Sequence, residues 1–225
     1  MSLAERATNI EYPDSDGQPM AENPLQFQWI VTITESLRWM FVEEPNVFVA
    51  GDLLWYPVEG NNKLRIAPDA LVVFGRPKGH RGSYMQWLED GIAPQVVFEV
   101  LSPGNRVGEM TRKFAFYEKY GVEEYYLIDP DRLEADGWLR SGERLVAIEQ
   151  LDDWSSPRLG IRFQVNDQGI TLYQPDGRPF RTYDEVAKEL KQAQREAEQA
   201  HREAEQERAR AERLAERLRQ LGEDV

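Results

Sequence analysis

Apolar residues follow two patterns along this chain, short unbroken runs through most of its length and a seven-residue repeat toward its end. The clearest run is Val96-Val97-Phe98-Glu99-Val100-Leu101, closed by Ser102-Pro103, which has the length and β-branched content of a strand covered on both faces. A second, Ala70-Leu71-Val72-Val73-Phe74, follows Pro68-Asp69, where proline sets an extended entry and places Asp69 at the strand's start. Residues 47–50 and 53–56 read as two strands paired around Gly51-Asp52, and residues 59–62 turn the chain toward Asp69. Residues 124–128 read as a further interior strand stopped by Asp129-Pro130. Residues 138–140 and 144–148 alternate as a hairpin around Ser141-Gly142, and residues 159–163 and 170–173 extend the β part.

Helical spacing appears in three places. Residues 25–41 are apolar around most of their circumference and open with Asn23-Pro24, a cap followed by proline. Residues 106–120 carry Val107, Met110, Phe114 and Tyr117 on one stripe, with Lys113 beside it and Gly121 as the expected C-cap. From residue 184 the chain is rich in Ala, Glu, Arg and Gln. There Val186, Leu190, Ala193, Ala197, Ala200, Ala204, Glu207, Ala211, Leu214, Leu218 and Leu221 keep heptad spacing, interrupted by Glu207. That seam predicts an extended helix and a coiled-coil dimer; its alanine-rich middle buries little area, so a lone solvated helix stays open as the alternative.

The order of elements predicts an α/β fold, a mixed sheet covered by helices. The expected organisation is an irregular arm over residues 1–23, a domain over residues 24–183 and a charged helix over residues 184–225. Residues 75–93 are polar and glycine-bearing, with residues 84–88 as a short helix; a connection of this length is expected to face the substrate.

Composition narrows the chemistry. The formal charge of −13 argues against a simple nucleic-acid coat protein; residues 1–180 hold 17 Lys+Arg against 28 Asp+Glu, a net of −11, although an acidic body can still bind phosphate locally through a bound cation and a basic rim. Lys63, Arg65, Arg76, Lys78, His80 and Arg81 flank the Asp69 strand as a local basic rim, or else as solvated loop charges. No run approaches the ~20 apolar residues of a membrane span, and a cytoplasmic protein is expected. There is no cysteine and only two histidines, so a zinc site lacks its usual ligands.

Glu99 carries the functional question. A carboxylate inside a buried strand costs several kcal/mol unless a cation or donors compensate it. A second acid, Asp69, at the start of a neighbouring strand supplies another hard oxygen ligand, and Mg²⁺ or Mn²⁺ suits such a pair. The alternative is an ion pair between Glu99 and Lys113 that ties helix to sheet without a metal.

Taken together, Pro68-Asp69, Phe98-Glu99-Val100-Leu101-Ser102-Pro103, Lys113 with Tyr117, the stretch Gly121-Val122-Glu123-Glu124-Tyr125-Tyr126-Leu127-Ile128-Asp129-Pro130, and Ser156-Pro157-Arg158-Leu159-Gly160-Ile161 resemble the bacterial putative restriction endonuclease family of the PD-(D/E)xK nuclease superfamily. The resemblance spans roughly residues 24–180. It implies a restriction-endonuclease-like mixed sheet flanked by helices and a Mg²⁺-dependent endonuclease acting on DNA. Asp69, Glu99 and the Val100 carbonyl would be the metal ligands, and Asp69, Glu99 and Lys113 the catalytic residues. The superfamily pattern has lysine two residues after the glutamate, where this chain has Leu101; the resemblance therefore points to Lys113 on the following helix. It also offers Glu35 as a first-helix metal ligand, against a surface position for that residue. A catalytically inactive binding or scaffolding module of the same fold, associating through its C-terminal helix, remains the alternative.

Overall fold

The computed structural model describes residues 10–15, 17, 19–220 and 222, with Gln220 described by its backbone. Residues 1–9, Asp16 and Gln18 of the expected arm and Leu221 of the expected seam lie outside the described residues. Two compact units emerge, residues 1–180 and residues 181–225.

The first unit is a mixed α/β domain. Helix α1 (Pro24–Met40) starts at Asn23, whose side chain accepts from the Gln26 N–H, with Pro24 in the first turn. The strands that follow are β1 (Val47–Gly51), β2 (Trp55–Tyr56), β3 (Ala70–Phe74), β4 (Tyr84–Met85) and β5 (Val96–Val100). Helix α2 (Val107–Tyr120) then ends at Gly121, whose φ of 95° is the left-handed cap that glycine adopts without strain. Strands β6 (Glu124–Asp129), β7 (Glu134–Ser141), β8 (Arg144–Ala147), β9 (Arg162–Asn166) and β10 (Gly169–Tyr173) complete it.

Six of these strands form one sheet in the order β1-β3-β5-β6-β7-β8, parallel between β5 and β6 and antiparallel elsewhere. Only the β5-to-β6 step needs a crossover, and α2 makes it. The expected β1/β2 hairpin is corrected. β1 pairs with β3, Gly51 opposite Ala70, while β2 pairs with β4 in parallel. Asp52 takes a positive φ of 48° and donates its N–H toward the Pro68 and Asp69 carbonyls, which turns the chain off the sheet after β1. Residues 84–88 are likewise not one helix; Tyr84 and Met85 join that parallel pair, and residues 86–88 form a 3-10 turn.

The two faces of the sheet hold separate cores. Ile30, Ile33 and Leu37 of α1 pack with Val96, Phe98 and Val100, with Ala70 and Val72, and with Phe163 and Leu172 of the β9/β10 hairpin. On the opposite face Phe116 and Tyr117 of α2 pack with Leu71, Val73, Val97, Tyr125 and Trp55. Side chains alternate along a strand, so Glu99, two residues from Val97, is committed to the α2 face. Leu37 is fully buried, and its truncation to Ala would cost about 2–5 kcal/mol.

In the second unit, α3 (Tyr183–Gln220) opens with a reciprocal cap. The Glu185 carboxylate accepts from the Thr182 N–H at 2.8 Å, and the Thr182 hydroxyl accepts from the Glu185 N–H at 3.3 Å. At 1.5 Å per residue the helix runs about 57 Å. Among the described residues no helix is long and apolar enough to cross a membrane.

Candidate active site

Register places the two acids together. β3 and β5 run antiparallel with Ala70 opposite Phe98, so one step further along the ladder sets Asp69 beside Glu99 on the α2 face. The Val100 N–H donates to Asp69 Oδ2 at 2.7 Å, which fastens the start of β3 to the end of β5. Burial, and next the charge of Glu99, push the Asp69 carboxyl well above the usual range, while Lys113 and the Val100 N–H pull the other way.

Helix α2 brings the compensating groups. Lys113 Nζ donates to Glu99 Oε2 at 2.6 Å, and the Tyr117 hydroxyl donates to Glu99 Oε1. The two side chains lie one turn apart on α2 and thus on one face, so a single helix engages both oxygens of a carboxylate that is only 2% exposed. Donors of the chain itself, Lys113 and Tyr117, therefore compensate the buried Glu99. Burial opposes the charge on Lys113, but the attraction of Glu99 and Asp69 prevails and raises its pKa. Burial, followed by Glu99, raises Tyr117, which stays a protonated donor.

The Val100 carbonyl, the third oxygen implied by the resemblance, accepts from Gln26 Nε2 at 2.8 Å. The other end of that amide, Gln26 Oε1, accepts from the Glu22 N–H at 2.8 Å. Glu22 in turn accepts from the Ser102 hydroxyl, so the start of α1 is stitched to the loop after β5. Glu22 and Gln26 were not foreseen from the sequence. The signal was present in Asn23-Pro24-Leu25-Gln26, a cap with a glutamine three residues on, which marks an N-terminal box. Glu35 is the reverse case: it is exposed and paired with Arg38 at 2.7 Å.

Asp69, Glu99, the Val100 residue and Lys113 share one cleft of about 680 Å³, with Glu22 and Gln26 on one side and Lys63, Arg65 and Arg112 on its rim. Of the expected basic rim, only Lys63 and Arg65 line it. Arg76 and Arg81 instead grip Glu89 at 2.8 and 2.6 Å, and Lys78 donates to the Phe41 and Val42 carbonyls. Residues 75–93 do not line the cleft, so the loop expected to face the substrate lies away from this site; Arg76 and Arg81 tie that segment to itself, and Lys78 ties it to the residues just after α1. Among the described residues Lys63 and Arg112 enter no ion pair.

The donor set is two carboxylates and a carbonyl. Among the described residues no cluster of three or more acidic, histidine or cysteine side chains forms a metal cage. A hard divalent cation such as Mg²⁺ is compatible with this set, because it commonly takes one or two carboxylates and completes its shell with water and phosphate oxygens.

A second buried carboxylate lies elsewhere. Glu124, at the start of β6, accepts from Tyr126 at 2.9 Å, from the Arg158 N–H at 2.6 Å and from the Ser156 hydroxyl. This links two of the sequence motifs, one around residue 124 and Ser156-Pro157-Arg158, as a structural clasp.

A family profile, Uma2, described as Putative restriction endonuclease, matches residues 2–166. No curated protein matches the chain. Among solved structures, one described as a putative nuclease belonging to DUF820 from Anabaena variabilis ATCC 29413 is similar at 17% identity. It covers 62% of this chain and 74% of that one, with a TM-score of 0.46.

Proposed function

This chain belongs to the Uma2 family of putative restriction endonucleases, and from that premise we propose that it is a Mg²⁺- or Mn²⁺-dependent endonuclease hydrolysing DNA phosphodiester bonds. The observation that supports the reading most is the convergence of Asp69, Glu99 and Lys113 in one cleft whose rim carries Lys63, Arg65 and Arg112. In this reading Asp69, Glu99 and the Val100 carbonyl hold the ion. When bound, it supplies a Lewis acid for the phosphoryl oxygen and lowers the pKa of a water.

The chain's own groups do the rest. Lys113, kept charged by its two acidic neighbours, offers a cation to the charge that grows on the phosphate, and it is not a proton acceptor at neutral pH. Tyr117 fixes the Glu99 carboxylate, and Gln26 fixes the Val100 carbonyl. In this reading Lys63 and Arg112, which line the cleft, hold flanking phosphates against the acidic body. Water oxygen bonds to phosphorus as the ester P–O bond breaks, and the proton that the water gives up to solvent is balanced by the one that the departing oxygen takes from it.

One observation favours a second reading. Both oxygens of Glu99 are already engaged by Lys113 and Tyr117, as a structural lock in a non-catalytic module requires. Asp69→Asn separates the two, because asparagine keeps an acceptor for the Val100 N–H and loses the charge. The nuclease reading expects Mn²⁺ titration heat and plasmid cleavage from the wild-type protein, both lost in Asp69→Asn, with metal-free stability equal or higher. Cleavage retained in the variant, with contaminating nuclease excluded, ends that reading. No Mn²⁺ heat and no cleavage by the wild-type protein leave the lock.

A further inference from the structure

We propose that α3 pairs with α3 of a second copy of this chain as an antiparallel coiled coil, Leu190 of one copy seated against Leu214 of the other. The proposal stands apart from the nuclease reading.

Three features of the helix lead to it. Its seam is open to solvent over most of the described residues, with Val186 50%, Leu190 58% and Leu214 55% exposed and Leu218 half-buried. The large apolar residues sit at the two ends of the seam, Val186 and Leu190 near one and Leu214 and Leu218 near the other, with five alanines and Glu207 between. The positions that flank the seam are sorted by sign. Glu189, Glu196 and Glu203 occupy the first half, and Arg210 and Arg217 the same heptad position in the second.

Reversing one copy satisfies all three at once. With Leu190 opposite Leu214′, heptad spacing sets Val186 against Leu218′, Ala193 against Ala211′, Ala200 against Ala204′ and Ala197 against Glu207′. Large residues meet large ones at both ends. Alanine meets alanine in the middle, where small side chains let the helix axes approach. Glu189 then flanks Arg217′ and Glu196 flanks Arg210′, each twice by symmetry. The one like-charge contact, Glu203 with itself, falls on the two-fold axis at an exposed position. Parallel pairing is poorer: it presses Glu207 against its own copy within the seam and leaves Glu189 and Glu196 opposite Gln194′ and His201′. Within one copy Glu189 pairs with Arg181, just ahead of α3, and Arg210 lies 3.9 Å from Glu207. Both pairs are solvent-exposed and readily exchanged for a partner across the seam.

The absence of cysteine makes orientation directly readable. Leu190→Cys and Leu214→Cys are made separately in the full chain and oxidised mildly, alone and mixed. The two positions lie about 36 Å apart along one helix. Antiparallel pairing therefore cross-links the mixture and leaves each variant alone at background. Self-cross-linking of either variant shows a parallel pair and overturns the proposal, as does a protomer mass for the wild-type chain by light scattering at tens of micromolar. A charge swap supplies the second arm. Glu189→Arg with Glu196→Arg, and Arg210→Glu with Arg217→Glu, should each weaken self-association at least tenfold, and mixing the two variants should restore it. Failure of the mixture to associate also overturns the register.

Discussion

Lys113 Nζ lies 2.6 Å from Glu99 Oε2, a helix-borne cation closing on a strand-borne carboxylate that is almost wholly buried. Removing one partner of such a pair strands the other in a low-dielectric site, which costs about 3 kcal/mol or more. Lys113→Met keeps the apolar stem, so its effect reports the charge. The metal-free protein should lose roughly 3 kcal/mol, a melting shift of about 6–12 °C, while Mn²⁺ affinity rises because a repelling charge is gone. Cleavage should fall about 10²-fold. Lys119, exposed on the last turn and over the Tyr120 ring, is the control, and Lys119→Met should stay within about 0.5 kcal/mol. Undiminished cleavage by Lys113→Met would confine the pair to scaffolding.

Lys63 and Arg112 carry a different expectation. They line the cleft as cations without an ion-pair partner among the described residues, so each should neutralise phosphate if DNA lies there. Lys63→Gln and Arg112→Gln should each weaken DNA binding across sequences alike and reduce the slope of log affinity against log salt by about one. Fluorescence anisotropy at several salt concentrations, with Ca²⁺ to hold off cleavage, measures it. An unchanged slope in both variants would move the phosphate track elsewhere.

Glu89 sets a dependence on pH. Burial works against its charge, but Arg81 and Arg76 overcome that and hold its carboxyl below the usual range. A group whose folded-state pKa is depressed stabilises the fold above its unfolded pKa, about 4.3, and loses that contribution as pH falls through the folded value. Glu89→Gln should therefore cost about 1–2 kcal/mol at neutral pH, with the gap to wild type closing below about pH 4. Urea melts from pH 3 to 7 check this; a gap that widens in acid contradicts it.

Ser156 tests the clasp on Glu124. Its hydroxyl donates to a buried carboxylate and accepts from the Leu159 N–H at 3.0 Å. Ser156→Ala should cost about 1.5–3 kcal/mol, the range for a lost bond to a charged group. Mn²⁺ binding should be unaffected, since Glu124 stands opposite Val96, three residues down the ladder from Glu99. A change in metal affinity equal to that of a cleft variant would mean the two buried acids are coupled.

What residues 96–101 determine on their own is considerable. Period-two alternation commits Glu99 to the face shared with Val97, and helical spacing over residues 107–120 puts Lys113 and Tyr117 on one side of α2, because both facts follow from backbone geometry within a few residues. The heptad seam and the caps at Asn23 and Gly121 were legible for the same reason. Tertiary structure alone decided which strands meet. β1 turned from β2 to β3, and the β3/β5 register set Asp69 beside Glu99 across twenty-nine intervening positions that carry no local trace of it. It also decided how Glu99 is compensated, and that Gln26 reaches the Val100 carbonyl 74 residues away. Contacts of that span depend on how two cores close around one sheet, and a periodic pattern records only which side of each element faces inward.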